Sequence, residues 1–206
     1  MKILKPIKTI EVKRCFVVSQ LIRLDRGKKR YLGLLSPEEF QKKLKIAKIK
    51  ALKFSEKKLD KIIFDEWKKR LKAYDNADWY IGKVSINEVG VWKKAGGLPL
   101  AWTNGSLVET AEKVKNVLSK NPQSLKKRAR HSIQNILKTN FNVLQKEKYL
   151  LPIIFKGGTG TKGRKRLKQK MKGDIDDGCM RSIALAIAGK TTLLAYVGFP
   201  KKSNLS

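Results

Sequence analysis

The chain has 206 residues, 48 of them Lys or Arg and 17 Asp or Glu, so its formal net charge at pH 7 is +31. Hydrophobic residues make up 41% of it, which argues against global disorder, and its longest apolar stretches, residues 183–188 and 193–197, are too short to span a bilayer. A polyanion would relieve the self-repulsion of so many cations, so the composition predicts a nucleic-acid partner and no membrane.

Several further classes are excluded by particular residues. The N-terminal residues lack the continuous apolar region of a secretory signal. The two cysteines, Cys15 and Cys179, lie far apart in the sequence, which is typical of reduced thiols in a cytoplasmic protein. With His131 as its one histidine, the chain has no histidine-rich metal site. From the cysteine and histidine content we therefore expect no cofactor.

The first segment has the composition of a β-hairpin. Residues 10–24 are rich in β-formers and apolar on both faces, as in a central strand. A turn follows at residues 25–29, and residues 30–35 provide a returning arm. The tip of this hairpin would project four cations together as a nucleic-acid contact: Arg26, Lys28, Lys29 and Arg30.

The next two segments are predicted to be helices. Ser36, Pro37 and Glu39 form the start of a capping box, and an apolar residue then recurs every three or four positions up to Phe54. A second helix begins after Ser55 and carries an apolar stripe at Leu59, Ile63, Trp67, Leu71 and Tyr74. The pattern is typical of a helical hairpin.

The remaining segments alternate between strand and helix patterns. Strand character covers residues 79–92, 149–155 and 191–199, and helical patterns begin at Ser106 and after Asn121-Pro122 and return at 178–188. The sum is an α+β fold with a mixed or antiparallel sheet, several amphipathic helices and a basic, glycine-rich loop near the C-terminus. A boundary near residue 77 would separate an N-terminal unit (1–77) from a basic nucleic-acid-binding region (78–206), unless both form one continuous domain.

The strongest functional signal is the basic loop at residues 156–172, which holds four glycines and no acidic residue. Glycines let a backbone approach a phosphate chain closely, and Lys and Arg neutralise the phosphates and release counterions. The alternative is a solvated linker whose charge serves solubility. The predicted contacts in this loop are Lys156, Lys162, Arg164, Lys165, Arg166, Lys168, Lys170 and Lys172.

A basic helix supplies a second predicted contact surface. Leu125, Ala129, Ile133 and Ile136 form its inward stripe. A cationic helix face suits a nucleic-acid backbone, although such a face can also be an unspecific solvated surface. The residues predicted to contact phosphates here are Lys126, Lys127, Arg130 and His131.

Three aspartates follow the basic loop directly and are the last acidic residues of the chain. Asp174 and Asp176 alternate, so on an extended segment they would point to one side and share a divalent cation such as Mg²⁺, with Asp177 beside them. Such a metal would activate water against a phosphodiester. In the other interpretation, Asp176 or Asp177 caps the following helix and the rest pair with neighbouring lysines.

The same region resembles a motif of the crossover-junction resolvases of the RusA type. In that motif Asp-x-Asp-Asn precedes a Lys and an apolar helix; here Asp-Ile-Asp-Asp at residues 174–177 precedes Arg181 and the apolar residues 183–188. Arg181 stands one position later than the Lys of the motif, and no acid follows Asp177. The resemblance implies a metal-dependent nuclease.

Two functions therefore follow from the sequence. The favoured one is a non-catalytic, cytoplasmic nucleic-acid-binding protein, an RNA-binding subunit of a ribonucleoprotein with other protein subunits, with RNA favoured over DNA. The alternative is a Mg²⁺-dependent, structure-specific nuclease that uses Asp174 and Asp176.

Overall fold

The computed structural model describes residues 1–23, 33–103, 105–138, 147–157 and 171–201. Within these residues it has a seven-stranded mixed sheet and six α-helices, which confirms the predicted α+β class. None of the helices in these ranges combines the length and the apolar character needed to cross a bilayer.

The sheet mixes antiparallel and parallel pairs. Its strand order is β1-β2-β7-β5-β6-β3-β4. Two neighbouring pairs, β5 with β7 and β3 with β6, are parallel, and the other four are antiparallel. The strands are β1 (Lys2–Ile7), β2 (Ala77–Ser85), β3 (Val89–Val91), β4 (Gly105–Ser106), β5 (Ile153–Lys156), β6 (Gly173–Asp177) and β7 (Thr192–Pro200).

The helices divide between the two halves of the chain. Three of them precede β2, and three follow β4. They are α1 (Thr9–Arg23), α2 (Pro37–Lys53), α3 (Glu56–Asp75), α4 (Leu107–Lys120), α5 (Lys127–Lys138) and α6 (Cys179–Ile187).

The predicted strand at residues 10–24 is wrong, because this segment is the helix α1. Cys15, Phe16, Val17 and Val18 are all fully buried. Since α1 is buried over most of its surface, its apolar residues do not form a single stripe with a helical period that would separate it from a buried strand. Since the first arm is helical, the N-terminal β-hairpin is also wrong. Its predicted tip, Arg26, Lys28, Lys29 and Arg30, lies outside the described residues.

The strand at the N-terminus was not predicted. β1 lies at the edge of the sheet and pairs antiparallel with β2. Five of its six residues are exposed, so it has no alternation between a buried and a solvated face. Pro6 lacks a backbone N–H, which an edge strand tolerates.

The helices α2 and α3 confirm the predicted pattern, with one difference. The capping box at the start of α2 is formed, because Ser36 accepts a hydrogen bond from the Glu39 N–H and Glu39 accepts one from the Ser36 N–H. α3 bends at Trp67, whose backbone is extended. A straight helix would place Glu56 and Asp75 about 28 Å apart. Both carboxylates nevertheless lie within 3.2 Å of the Lys13 ammonium, so α3 folds back at the bend.

The predicted C-terminal elements are also present. The helix expected at 178–188 is α6 and the strand expected at 191–199 is β7. The strand expected at 149–155 begins later, at Ile153. β2, which begins at the predicted boundary of residue 77, lies between β1 and β7, so the two segments share one sheet; the boundary itself stays a prediction.

An aromatic cluster packs α3 against the sheet. The Trp79 ring of β2 contacts Tyr74 and Phe155 at centroid distances of 5.4 and 5.2 Å. Gly198 on β7 leaves room for this ring, because a Cβ there would lie 2.8 Å from it. The cluster fixes the position of Tyr74, whose hydroxyl reaches the acidic strand β6.

Candidate functional site

A cavity of about 320 Å³ lies where the parallel strands β3 and β6 end. Its walls come from α1, the bend of α3, α5, the turn after β3 and the first residues of α6. Open α/β sheets bind ligands at the carboxyl ends of parallel strands, and this cavity has that position. It contains part of the acidic cluster identified in the sequence.

An irregularity in β6 brings Asp176 and Asp177 to the same side of the sheet. In the register with β5, Ile153 opposes Asp177 and Ile154 opposes Ile175, so Asp176 has no partner on β5. Such a bulge places an extra residue in one strand and redirects its side chain. Asp176 contacts α3 and Asp177 contacts α1, so both face the cavity side of the sheet.

Asp176 is held by two residues of α3. The Arg70 Nε–H donates to Oδ2 at 2.8 Å and its second nitrogen donates to Oδ1 at 3.3 Å. The Tyr74 hydroxyl also donates to Oδ2, at 2.8 Å. Burial, together with the Asp176 charge, raises the pKa of Tyr74 well above its ordinary value, so the phenol stays a proton donor. Both carboxylate oxygens of Asp176 are therefore engaged.

Asp177 connects α1 to α6. Its Oδ2 accepts hydrogen bonds from the Ser19 hydroxyl at 2.9 Å and from Arg181 at 3.0 Å. The N-cap residue of α6 is Gly178, with a φ of 91°, and no side chain caps this helix. The interpretation of Asp176 or Asp177 as a helix cap is therefore wrong, because the N-cap position of α6 is occupied by Gly178.

Asp174 lies at the opposite end of β6 from Asp177. Gly90 of β3 gives its carboxylate room, because a Cβ at Gly90 would lie 2.6 Å from Oδ1 of Asp174. In the ranges that the structure describes, no three or more His, Cys, Asp or Glu side chains are grouped so as to hold a metal ion. The nuclease alternative needs a metal site with at least a third ligand beside Asp174 and Asp176. The described residues supply no His, Cys, Asp or Glu side chain in that position.

Three basic residues outside the predicted contact surfaces line the cavity. Lys94 and Arg128 lie at its rim, and Arg181 lies beside Asp177. Lys94 and Arg128 are exposed, and neither forms an ion pair with a carboxylate of the described residues. Arg181 is paired with Asp177, but its Nε–H is buried and has no acceptor among those residues. The rim therefore has positive charge available for an anion.

One local sequence pattern, a polar stripe on α5, corresponds to residues that line this cavity. Arg128, Ser132 and Asn135 recur at spacings of four and three, so they form a polar stripe beside the apolar stripe of α5. All three line the cavity. A polar stripe bordering a core stripe is a signal that sequence analysis can use; the contribution of α3, from Glu66 and Arg70, depends on the bend and has no such signal.

The predicted basic helix has its expected orientation. Ala129, Ile133 and Ile136 are buried, and Lys126 and Lys127 are exposed. Arg130 donates to the Pro122 carbonyl and to Gln123. Partial burial, together with the charges of Arg130 and Lys127, lowers the pKa of His131, which favours the neutral form of this side chain.

The two ends of the predicted basic loop are held together. Lys156 of β5 pairs with Gly173 of β6, and the Gly157 N–H donates to the Lys172 carbonyl at 2.8 Å. Lys156 and Lys172 are exposed, and the Lys172 ammonium donates to Glu88. The other six predicted contacts, Lys162, Arg164, Lys165, Arg166, Lys168 and Lys170, lie outside the described residues.

Comparison with known proteins adds no relationship. No protein-family model, curated protein or solved structure matches this chain.

Proposed function

We propose that this protein binds nucleic acid without cleaving it, as a cytoplasmic RNA-binding subunit of a ribonucleoprotein. The observation that carries the proposal is the run of six basic and no acidic residues between Gly157 and Met171, whose two ends are joined by the β5–β6 pairing. The β5–β6 pairing fixes the two points at which this segment leaves the sheet and returns to it. Contacts from Lys and Arg to phosphates supply sequence-independent affinity by releasing counterions.

The helix α5 provides a second cationic surface. Its apolar stripe is buried in the core, which leaves Lys126 and Lys127 exposed at its N-terminal end. Phosphate contacts of this kind position a nucleic acid and carry no sequence information directly. The proposal is therefore a backbone-binding protein. RNA is favoured over DNA because a basic, glycine-rich arm suits the backbone of a folded RNA.

The contacts of Asp176 favour binding over cleavage. A catalytic metal would have to replace Arg70 and Tyr74 as the partners of this carboxylate, and both partners belong to the buried core. Removing the counter-charge of a buried arginine is costly. These contacts support a structural role for Asp176.

The proposal is tested by fluorescence anisotropy with labelled single-stranded RNA, double-stranded RNA and DNA of mixed sequence, in EDTA and at low salt. We expect binding without a metal, and tighter binding to RNA. The absence of binding to every probe would contradict the proposal. Incubation of the same probes with Mg²⁺, followed by a denaturing gel, should give no product; a product that is lost in Asp174→Asn would establish the nuclease instead.

A further inference from the structure

We propose that the cavity at the ends of β3 and β6 binds one unstacked nucleotide, with the base inside and its phosphate at the rim. This inference rests on the proposed function, because it names the part of the nucleic acid that this second site would take. It concerns residues outside the basic segment and outside the exposed lysines of α5.

The size and the walls of the cavity suit a nucleobase. Its volume of about 320 Å³ is at the lower end of the range for small-molecule sites, roughly 300–1,000 Å³. Phe16, Phe40 and Trp92 contribute aromatic surface to the lining. The Arg70 guanidinium lies 4.5 Å from the centre of the Phe16 ring, and Trp92 is half-buried. We assign the stacking with a base to Trp92, which has the largest aromatic ring of the lining.

The cavity has carboxylates inside it and cations at its rim. This arrangement suits a ligand whose buried end donates hydrogen bonds and whose outer end is an anion. The carboxylates of Asp176 and Asp177 are paired with Arg70 and Arg181, inside the cavity. Glu66 also lines it. Carboxylate oxygens accept hydrogen bonds from the N–H groups at the edges of bases. A nucleotide presents such donors at its base and an anion at its phosphate.

The rim supplies the partners for a phosphate. Lys94 and Arg128 are exposed at the cavity and form no ion pair with the described carboxylates. The buried Nε–H of Arg181 has no acceptor within the described chain. An unsatisfied buried donor is costly, and a bound acceptor removes that cost. Arg in particular binds phosphate oxygens through several N–H groups.

The rim is also a packed structure. Gly96 has a φ of 59°, and a Cβ there would lie 2.6 Å from the Met180 sulfur, so this turn is in close contact with the start of α6. A side chain at Gly97 would in turn approach Lys126 of the α5 N-terminus. This packing fixes the backbone of the turn that carries Lys94, so less of the turn has to be ordered when a ligand binds.

The cavity and the point where the basic segment joins the sheet lie at different ends of β6. The segment joins β6 at Gly173, and the cavity begins at Asp176, close to the other end of the strand. The rise of a strand is about 3.3 Å per residue, so Gly173 and Asp176 are about 10 Å apart. The residues substituted to test the cavity therefore differ from those substituted to test the basic segment.

The test uses the full chain and adenosine 5′-monophosphate in isothermal titration calorimetry, with inorganic phosphate and adenosine as comparison probes. We expect saturable binding of the nucleotide, and a loss of affinity of about tenfold or more in Arg128→Gln and in Lys94→Gln. Lys93→Gln is the matched control, because this neighbouring lysine makes the same charge change and does not line the cavity. Its affinity should equal that of the wild type.

A second readout reports the base. Stacking on Trp92 should quench its fluorescence, so the nucleotide-dependent quenching should disappear in Trp92→Phe. No nucleotide binding, or equal affinity in wild type, Arg128→Gln and Lys94→Gln, would overturn the inference. Phosphate binding as tight as nucleotide binding would also overturn it, because the base would then contribute nothing. Oligonucleotide binding measured on the same samples shows separately whether the proposed function holds.

Discussion

Arg70 and Asp176 form a buried ion pair across 106 positions of sequence. Their side chains are 3% and 1% exposed, and the Tyr74 hydroxyl donates a third hydrogen bond to the same carboxylate. The pair joins the bend of α3 to the bulge of β6 at the floor of the cavity. Removing either member should destabilise the fold, because a buried charge without a partner is strongly unfavourable.

Asp176→Asn should therefore destabilise the protein. The substitution leaves the Arg70 guanidinium buried without its counter-charge, which costs about 3–5 kcal/mol of unfolding free energy. Urea denaturation followed by circular dichroism measures this cost. The control is Asp78→Asn, an exposed carboxylate near Lys201, with an expected change within about 0.5 kcal/mol. If Asp176→Asn unfolded like the wild type or were more stable, Asp176 would be a carboxylate kept for a function such as metal binding.

The ion pair between Glu88 and Lys172 should make stability depend on pH in the acid range. The Lys172 ammonium, with the Met1 ammonium beside it, lowers the pKa of Glu88 from 4.5 to about 2. Because the folded-state pKa is below the unfolded one, the stabilisation is complete above about pH 4.5 and is lost as the pH falls towards 2. Glu88→Gln should be less stable than the wild type at pH 6 and equal to it at pH 2. A difference that stays constant over this range would show that the pair contributes nothing as a charge pair.

The exposed lysines of α5 should contribute to binding without selecting a sequence. Lys127→Glu should weaken binding on the order of tenfold at low salt, and by a similar factor for unrelated sequences. Lys83→Glu makes the same change of charge on the exposed side of β2 and should have a smaller effect. Anisotropy titrations with three unrelated oligonucleotides test this. If one sequence lost affinity and the others kept it, α5 would be a reader of bases.

The elements that could be predicted are those with a local signal. The capping box at Ser36 and the stripe of α2 indicated that helix within one residue of its observed start. The strand prediction for α1 is wrong because the apolar residues of this helix are buried around most of its surface. β1 has no sequence signal, because an edge strand with exposed residues shows no pattern of burial. Local sequence thus indicates an element only where the two faces of that element differ in environment.

The cavity and its acidic strand could likewise be predicted only where the local sequence carries a signal. The sequence singles out the run of aspartates at 174–177, and their role in a site stays a prediction. The bulge in β6 and the partners of these aspartates have no signal in the local sequence. Arg70, Tyr74 and Ser19 lie more than 100 positions away, and nothing local indicates that they meet Asp176 and Asp177. Long-range pairs of this kind depend on the order of strands in the sheet, which sequence patterns did not provide.

The central claim is that the basic segment at 156–172 binds a nucleic-acid backbone, and the dependence of affinity on salt tests it most directly. Each phosphate contact contributes about −0.7 to −0.9 to the slope of log affinity against log salt concentration. Replacing Arg164, Lys165 and Arg166 together by Ala should reduce the steepness of that slope by roughly two to three units. A slope identical to that of the wild type would contradict the claim, because these three cations would then make no phosphate contact.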